Sequence, residues 1–342
     1  MDAVMNVEER APATDESNAF LEVRNLSKHF PIYAGVMRKT VGHVKAVDGV
    51  SFSIERGKTL GLVGESGCGK STTGLALLRL ISATGGEVKL DGDDVFAADK
   101  KKLNSLRTKM QIVFQDPYSS LNPRLPVWQI VGEAMMQHKI VGSRREMNER
   151  VVDIIGKCGL LPEQSTRYPH QFSGGQRQRI CIARALAVNP QFMVCDEAVS
   201  ALDVSIQSQI INLLKDLQDS MGLTYLFISH DLSVVKFISD DVGVMYLGQL
   251  VEYGGKNQIF DNPLHPYTKA LLSAALTINF DKNARGIRKK RAALEGDVPS
   301  PANPPPGCRF HTRCPIADSS CRESVPVNRE AEPGHFVMCH KV

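Results

Sequence analysis

The chain has 342 residues, 42% of them hydrophobic and 23% charged, with a net charge of +4. That length buries a full core and forms one large domain or two smaller ones, while so small a positive excess gives no argument for nucleic acid as a partner. No apolar run reaches the roughly 18 residues of a membrane-spanning helix. The opening MDAVMNVEERAPATDESN lacks the basic-then-apolar layout of a secretory signal. Residues 1–18 are expected to be a disordered tail. The default location is the cytosol, where thiols stay reduced, so the eight cysteines do not read as a disulfide framework.

Ordered patterning begins near Phe20. FLEVRNLSKHF and VDGVSFSIERG alternate apolar and polar residues and end at turn signals, which predicts strands. TLGLVGESGCGKSTTGLALLRL predicts an apolar strand, a glycine-rich turn and a helix. EVKLDGDDV reads as a further strand, and KMQIVFQDP as one stopped by Pro117. Helical periodicity dominates from Val127 to about Val188. The apolar strands FMVCDE and TYLFISH follow, separated by the helical SIQSQIINLLKDLQDSMG. DVGVMYLGQLVEYG has the look of a hairpin and HPYTKALLSAAL of a helix. The basic run Lys282–Arg291 reads as a solvated linker, with lipid head groups as the lesser alternative. A proline-rich connector, VPSPANPPPG, leads into GCRFHTRCPIADSSC. Strands alternating with helices predict an α/β fold with a largely parallel sheet, and no internal repeat is visible.

Gly64, Glu65, Ser66, Gly67, Cys68, Gly69, Lys70 and Ser71 fit the G-x-x-x-x-G-K-[ST] phosphate-loop pattern, with a strand before and a helix behind, and Thr72 is expected to join them in binding ATP. Glycines let the backbone wrap phosphate oxygens, and successive N–H groups and the helix N-terminus supply positive partial charge. Lys70 is expected to reach the β- and γ-phosphates of ATP and Ser71 to ligate Mg²⁺. At the end of FMVCDE, Asp196 is expected to bind Mg²⁺ through water and Glu197 to polarise the attacking water.

No generic nucleotide fold requires SGGQRQR, in which Ser173, Gly174, Gly175 and Gln176 open a second helix with an anion-binding N-terminus. This segment resembles the signature of the ATP-binding-cassette ATPases. Other elements match that family in order: Gln115 of VFQDP as the residue that senses Mg²⁺ and the membrane partner, Ser200–Asp203 as the D-loop, and His230 of FISHD as the contact to the γ-phosphate. Phe30, or failing it Tyr33, falls where the family stacks an aromatic ring on adenine. The resemblance implies a P-loop nucleotide-binding domain, with a RecA-like core, an antiparallel β-subdomain and a helical subdomain at about residues 116–190. It also implies catalytic roles for Glu197, His230 and Gln115, with Asp203 lying at the ATP-binding interface of two subunits.

NPLHPYTKALLSAAL and the later CxFxxRCPxAxxxC pattern look like the C-terminal extension of bacterial oligopeptide, dipeptide and nickel importer ATPases. The expected organisation is therefore a cassette domain at 19–260 and a small cysteine-rich extension at 261–342. Zinc ribbons prefer closer cysteine pairs than Cys308, Cys314, Cys321 and Cys339 offer. Cys-Pro also occurs in ferredoxin runs. Zinc and unligated thiols stay open on spacing alone, and the resemblance implies a [4Fe–4S] cluster fastening the extension. Cys158, Cys181 and Cys195 are expected to be small buried residues. The resemblance further implies a paralogous ATPase subunit as partner in a heterodimer, two transmembrane permease subunits, an indirect extracytoplasmic solute-binding protein, and a peripheral place on the cytoplasmic face of the membrane. Nickel or another small solute is the alternative cargo, and a non-transport or iron–sulfur-regulated ATPase the alternative class.

Overall fold

The computed structural model describes residues 19–276 and 296–342. The expected N-terminal tail and the basic run Lys282–Arg291 lie outside the described residues. In chain order the elements are β1 (Ala19–Ala34), β2 (Lys39–Glu55), β3 (Thr59–Val63), α1 (Lys70–Leu77), β4 (Gly85–Leu90), β5 (Asp93–Asp94), α2 (Lys100–Lys109), β6 (Met110–Val113), α3 (Pro117–Ser120), α4 (Val127–Gln137), α5 (Arg144–Lys157), α6 (Gly174–Leu186), β7 (Phe192–Asp196), α7 (Val204–Met221), β8 (Thr224–Ile228), α8 (Leu232–Ile238), β9 (Asp241–Tyr246), β10 (Gln249–Gly255), α9 (Lys256–Asp261), α10 (Pro266–Leu276), α11 (Ser319–Glu323), β11 (Arg329–Glu332) and β12 (His335–Val337). Two short 3₁₀ turns, Pro162–Thr166 and Pro169–Gln171, lead from α5 to α6. The α/β expectation is what is found. No helix of the described residues is long and apolar enough to cross a membrane.

The contacts divide the chain into two compact units, and the division falls inside β3. One unit comprises Met1–Ile54, Leu62–Gly92 and Asp240–Val342. In it β2, β1 and β4 lie side by side, with β1 antiparallel to β4 and Leu21 opposite Leu90. β9 and β10 form an antiparallel hairpin whose closing pair is Tyr246 and Gln249. The two residues between them, Leu247 (φ 43°) and Gly248 (φ 80°), both have positive φ. That is the backbone of a type I′ turn, the two-residue loop whose twist matches its strands. β12 then pairs antiparallel with β10, and β11 with β12. The C-terminal segment thus returns as two strands, an arrangement the sequence reading did not anticipate.

The other unit comprises Glu55–Gly61 and Asp93–Ser239. Here β6, β7 and β8 run parallel, with Met110 opposite Phe192 and Phe192 opposite Thr224. Every residue of β7 and β8 is buried, as expected of parallel strands covered on both faces. Helices α4, α5 and α6 occupy the stretch that periodicity marked as helical. Local chemistry sets their ends. Ser143 caps α5 by accepting from the Glu146 amide, and α7 stops at Gly222 in the left-handed region (φ 66°). EVKLDGDDV is not one strand: it breaks at Asp91–Gly92, both with positive φ, into β4 and β5. Cys158, Cys181 and Cys195 are buried as expected. Burial pushes the Cys158 and Cys195 thiols up to about 12, so both stay neutral.

Candidate functional site

The first unit carries the phosphate loop between β3 and α1. Lys70 is buried, and its ammonium donates to the carbonyls of Gly64 (2.9 Å) and Glu65 (3.1 Å). Ser66 and Gly67 are exposed on the crest, and Ser71 and Thr72 are partly buried at the helix start. Gly69, at φ 109°, is the N-cap of α1. A Cβ there would sit 2.1 Å from the Ala46 carbonyl oxygen, and one on Gly64 would sit 2.2 Å from that of Met245. Only glycine lets the loop lie that close to other backbone. Cys68 is buried within it, and desolvation raises its thiol pKa against the opposing pull of Lys70.

Phe30 and Tyr33, the two candidates for stacking on adenine, both lie on β1 and are open to solvent. The Lys28 ammonium stands 4.8 Å over the Phe30 ring and the Arg38 guanidinium 5.4 Å over that of Tyr33.

The second unit gathers the candidate catalytic groups around one carboxylate. Asp196 is buried at the end of β7. Glu197 follows in the left-handed region (φ 46°), with its amide donating to the Ile228 carbonyl of β8 (3.0 Å). A glutamate in that region is uncommon, and such strain clusters at functional sites. The Gln115 side-chain amide donates to Glu197 Oε2 (2.9 Å) and to Ser200 Oγ (3.4 Å). His230 Nδ1 lies 3.3 Å from the same Oε2. Gln115, Ser200 and His230 come from three separate loops and meet at Glu197.

Ser173 is the N-cap of α6. Its hydroxyl accepts from the Gln176 amide (3.3 Å), and the Gln176 side chain accepts from the Ser173 amide (3.1 Å), which makes a capping box. Gly174 and Gly175 open the helix, and a Cβ on Gly175 would meet Ile206 Cγ2 of α7 at 2.5 Å. Asp203 is exposed and caps α7, its carbonyl accepting from the Ile206 and Gln207 amides.

The geometry lends no support to the [4Fe–4S] expectation for Cys308, Cys314, Cys321 and Cys339. Among the described residues, no three His, Cys, Asp or Glu side chains come together closely enough to hold a metal ion. Cys308 and Cys314 are half-buried, and Cys321 and Cys339 are buried. Burial pushes Cys308 up to about 11, and Cys321, Cys339 and Cys314 push in the same direction. Burial also raises Cys314, with Cys339 and Cys321 adding to it.

Sequence reasoning missed the hold that the tail takes on the phosphate loop. The Arg313 guanidinium makes a two-pronged ion pair with Glu65 (2.8 and 3.1 Å), and the Glu65 amide donates to the Tyr267 hydroxyl (2.9 Å). Arg309 donates to the Leu247 carbonyl and to Asp48. The arginines stand 248 and 261 residues from their carboxylate partners, and no spacing rule connects them.

Residues 47–200 match the family model described as ABC transporter, and residues 251–321 match that of the oligopeptide/dipeptide transporter C-terminal region. The chain is 54% identical to the oligopeptide transport ATP-binding protein AppF of Bacillus subtilis, over 94% of this chain and 96% of that protein. It is 49% identical to the dipeptide transport ATP-binding protein DppF of Escherichia coli, over 94% of each. Among solved structures, the ATP-binding cassette MJ0796, bound to ADP and Pi in a dimeric post-hydrolysis state, superposes with a TM-score of 0.61 at 26% identity, covering 69% of this chain and 98% of that one. With near-full-length identity of this order and both family regions present, the chain belongs to the ATP-binding-cassette family, in the branch of oligopeptide and dipeptide transport ATP-binding proteins.

Proposed function

We propose that this chain binds and hydrolyses ATP to drive the import of di- or oligopeptides through a membrane transporter. The observation that carries the reading is the convergence of Gln115, Ser200 and His230 on Glu197 in a chain so similar to peptide transport ATP-binding proteins. The phosphate loop binds the ATP phosphates, with Lys70 leaving its loop carbonyls for the β- and γ-phosphate oxygens. Glu197 accepts a hydrogen bond from the attacking water and aligns it for in-line displacement, while His230 contacts the γ-phosphate and Gln115 positions the carboxylate. Ser71, Gln115 and Asp196 offer a hydroxyl, an amide and a carboxylate oxygen, a donor set suited to Mg²⁺. The ion would neutralise phosphate charge there. Ser173, Gly174, Gly175, Gln176 and Asp203 present a capped helix N-terminus and a D-loop to nucleotide held by a second, paralogous ATPase subunit. Phe30 stacks on the adenine. Two permease subunits and an extracytoplasmic binding protein complete the transporter, with this chain peripheral on the cytoplasmic face.

We also keep the [4Fe–4S] cluster as a proposal for Cys308, Cys314, Cys321 and Cys339. Its support is that Cys308, Cys314 and Cys321 fall within the region matched by the oligopeptide/dipeptide transporter C-terminal family model, with Cys339 following in the same tail. Iron and sulfide assay after anaerobic purification tests it, and colourless, iron-free protein counts against it.

The functional reading is tested with Glu197→Gln in the assembled transporter. The variant should retain ATP and lose turnover, and peptide-loaded binding protein should stimulate the unmodified complex. Normal hydrolysis by Glu197→Gln, or stimulation by nickel and not by peptide, overturns the residue's role or the cargo respectively.

A further inference from the structure

The phosphate loop is not held by its own strand and helix alone. Glu65, its second residue, is engaged at two points by the C-terminal extension. Its backbone N–H is taken by the hydroxyl of Tyr267 on α10, a fully buried residue. Its carboxylate is taken by both terminal nitrogens of Arg313, whose side chain is only 6% exposed. Neither partner is loosely placed. The Tyr267 ring packs on Tyr246 (4.7 Å between centroids) and on Phe310 (5.4 Å, edge-on). The Arg313 guanidinium lies 5.9 Å from the Tyr246 ring, and its own amide donates to the Phe310 carbonyl (3.0 Å). Arg309, Phe310 and Arg313 all lie between Cys308 and Cys314, so one short segment supplies the arginine and Phe310 contacts while α10 supplies Tyr267.

The same segment reaches the loop by a second route. Arg309 holds the Leu247 carbonyl at the β9–β10 turn, and the next residue, Gly248, donates its amide to the Cys68 carbonyl (2.9 Å). The carbonyl of Glu65, in turn, accepts from Lys70. Glu65 therefore sits between the catalytic lysine on one side and the tail on the other. A glycine-rich loop loses much conformational freedom when it closes on phosphate, and a loop already fixed in place loses less on binding.

We propose that Arg313 and Tyr267 are positioning residues for the phosphate loop, and that the C-terminal extension sets nucleotide affinity by holding Glu65. The proposal rests on the nucleotide-binding reading above and goes beyond it. Arg313 and Tyr267 touch no substrate. They act through Glu65, so their loss weakens nucleotide binding and leaves turnover at saturating ATP unchanged.

The test uses the full chain and a fluorescent ATP analogue with Mg²⁺, alongside hydrogen exchange of residues 64–69. Arg313→Met should weaken binding about tenfold, the scale expected when a charge-assisted hydrogen-bonded pair is lost. Arg313→Lys should restore part of that affinity, and Tyr267→Phe should speed exchange in the loop. Glu65→Gln combined with Arg313→Met should be no weaker than either alone, since both remove one interaction. In the assembled transporter the KM for ATP should rise while kcat stays within about twofold. If folded Arg313→Met and Tyr267→Phe bind as the unmodified chain does, or if the Glu65 and Arg313 effects add, the proposal is overturned. Tyr267→Phe removes only a hydroxyl, so the test survives if Arg313→Met does not fold. Lys70→Ala is the control: equal binding by that variant would sink the nucleotide reading itself, not the role of the tail.

Discussion

Removing the imidazole of His335 should loosen the C-terminal strands from β10. His335 and Glu252 are both 0% exposed, with Nε2 and Oε1 2.8 Å apart. The Glu252 carboxylate also accepts from the amides of Leu264 (2.7 Å) and His265 (2.9 Å). Burial alone would raise the Glu252 pKa, but His335 and these amides outweigh it and hold the group below its ordinary value. His335→Phe keeps the bulk and deletes the hydrogen bond. Orphaning one member of a buried pair costs about 3–5 kcal/mol. The two amides stay, which places the loss near the lower end, at about 3 kcal/mol. β12 meets β10 through only two registered pairs, Glu252–Val337 and Tyr253–Phe336, so the loss should appear first as local opening. Limited trypsin digestion at Arg322 and Arg329 and urea denaturation followed by circular dichroism measure it. Glu252→Gln in the same background removes the orphaned charge and should recover much of the loss. Unmodified proteolysis and an unchanged urea midpoint in His335→Phe, or no recovery in the double variant, would refute this account of the buried pair.

Acid should weaken the same region. His265 is buried, and its Nδ1 accepts the Tyr267 amide (3.0 Å); burial holds its pKa down to about 4 from 6.5. The unfolded chain therefore takes up a proton below pH 6.5 that the folded chain refuses until about 4, so stability is full above 6.5 and falls with pH. Between pH 7.5 and 5 the loss from this group is about 2 kcal/mol, with the lowered carboxyl of Glu252 losing stability in the same direction at lower pH; urea midpoints across that range check it, and a flat profile contradicts it. Gly175→Ala should force Ile206 aside and cost about 1–3 kcal/mol, seen as a lower urea midpoint. Ser173→Ala removes the hydroxyl of the α6 capping box and should cost about 1 kcal/mol, measured in the same way.

The chemistry-bearing motifs were legible because each is local. Gly64–Ser71 and Ser173–Gln176 are contiguous, and their roles follow from backbone freedom and exposed N–H groups at a helix start. Buried β7 and β8 announced themselves as apolar runs. Other elements gave no such signal. α2, KKKLNSLRTK, buries only Leu106 and owes its start to Asp99 accepting from the Lys102 amide. β11 is exposed along its whole length, and no apolar alternation marks it. Its Pro333–Gly334 turn, with Gly334 at φ 72°, was the one available hint of a hairpin. The wide cysteine spacing named a set of thiols but not their partners, since what the segment touches depends on how the chain returns.

That return explains why the extension and the phosphate loop are bound up with each other. Gly64 and Gly69 lie against the carbonyls of Met245 and Ala46, so the loop is wedged between the middle of β2 and the β9–β10 hairpin. The hairpin turn forces Leu247 into the left-handed region, a strained state for a branched side chain that persists only when its surroundings hold it. Arg309 supplies that hold by binding the Leu247 carbonyl, and it is itself anchored on Asp48, which also bonds to His29. Burial would raise the Asp48 pKa, but His29, Arg309 and Lys45 together lower it, so the anchor stays charged. Arg313 grips the other side of the loop through Glu65. Two arginines four residues apart thus brace both flanks of a loop whose glycines cannot brace themselves. A change that shifts the Cys308–Cys314 segment shifts both braces at once.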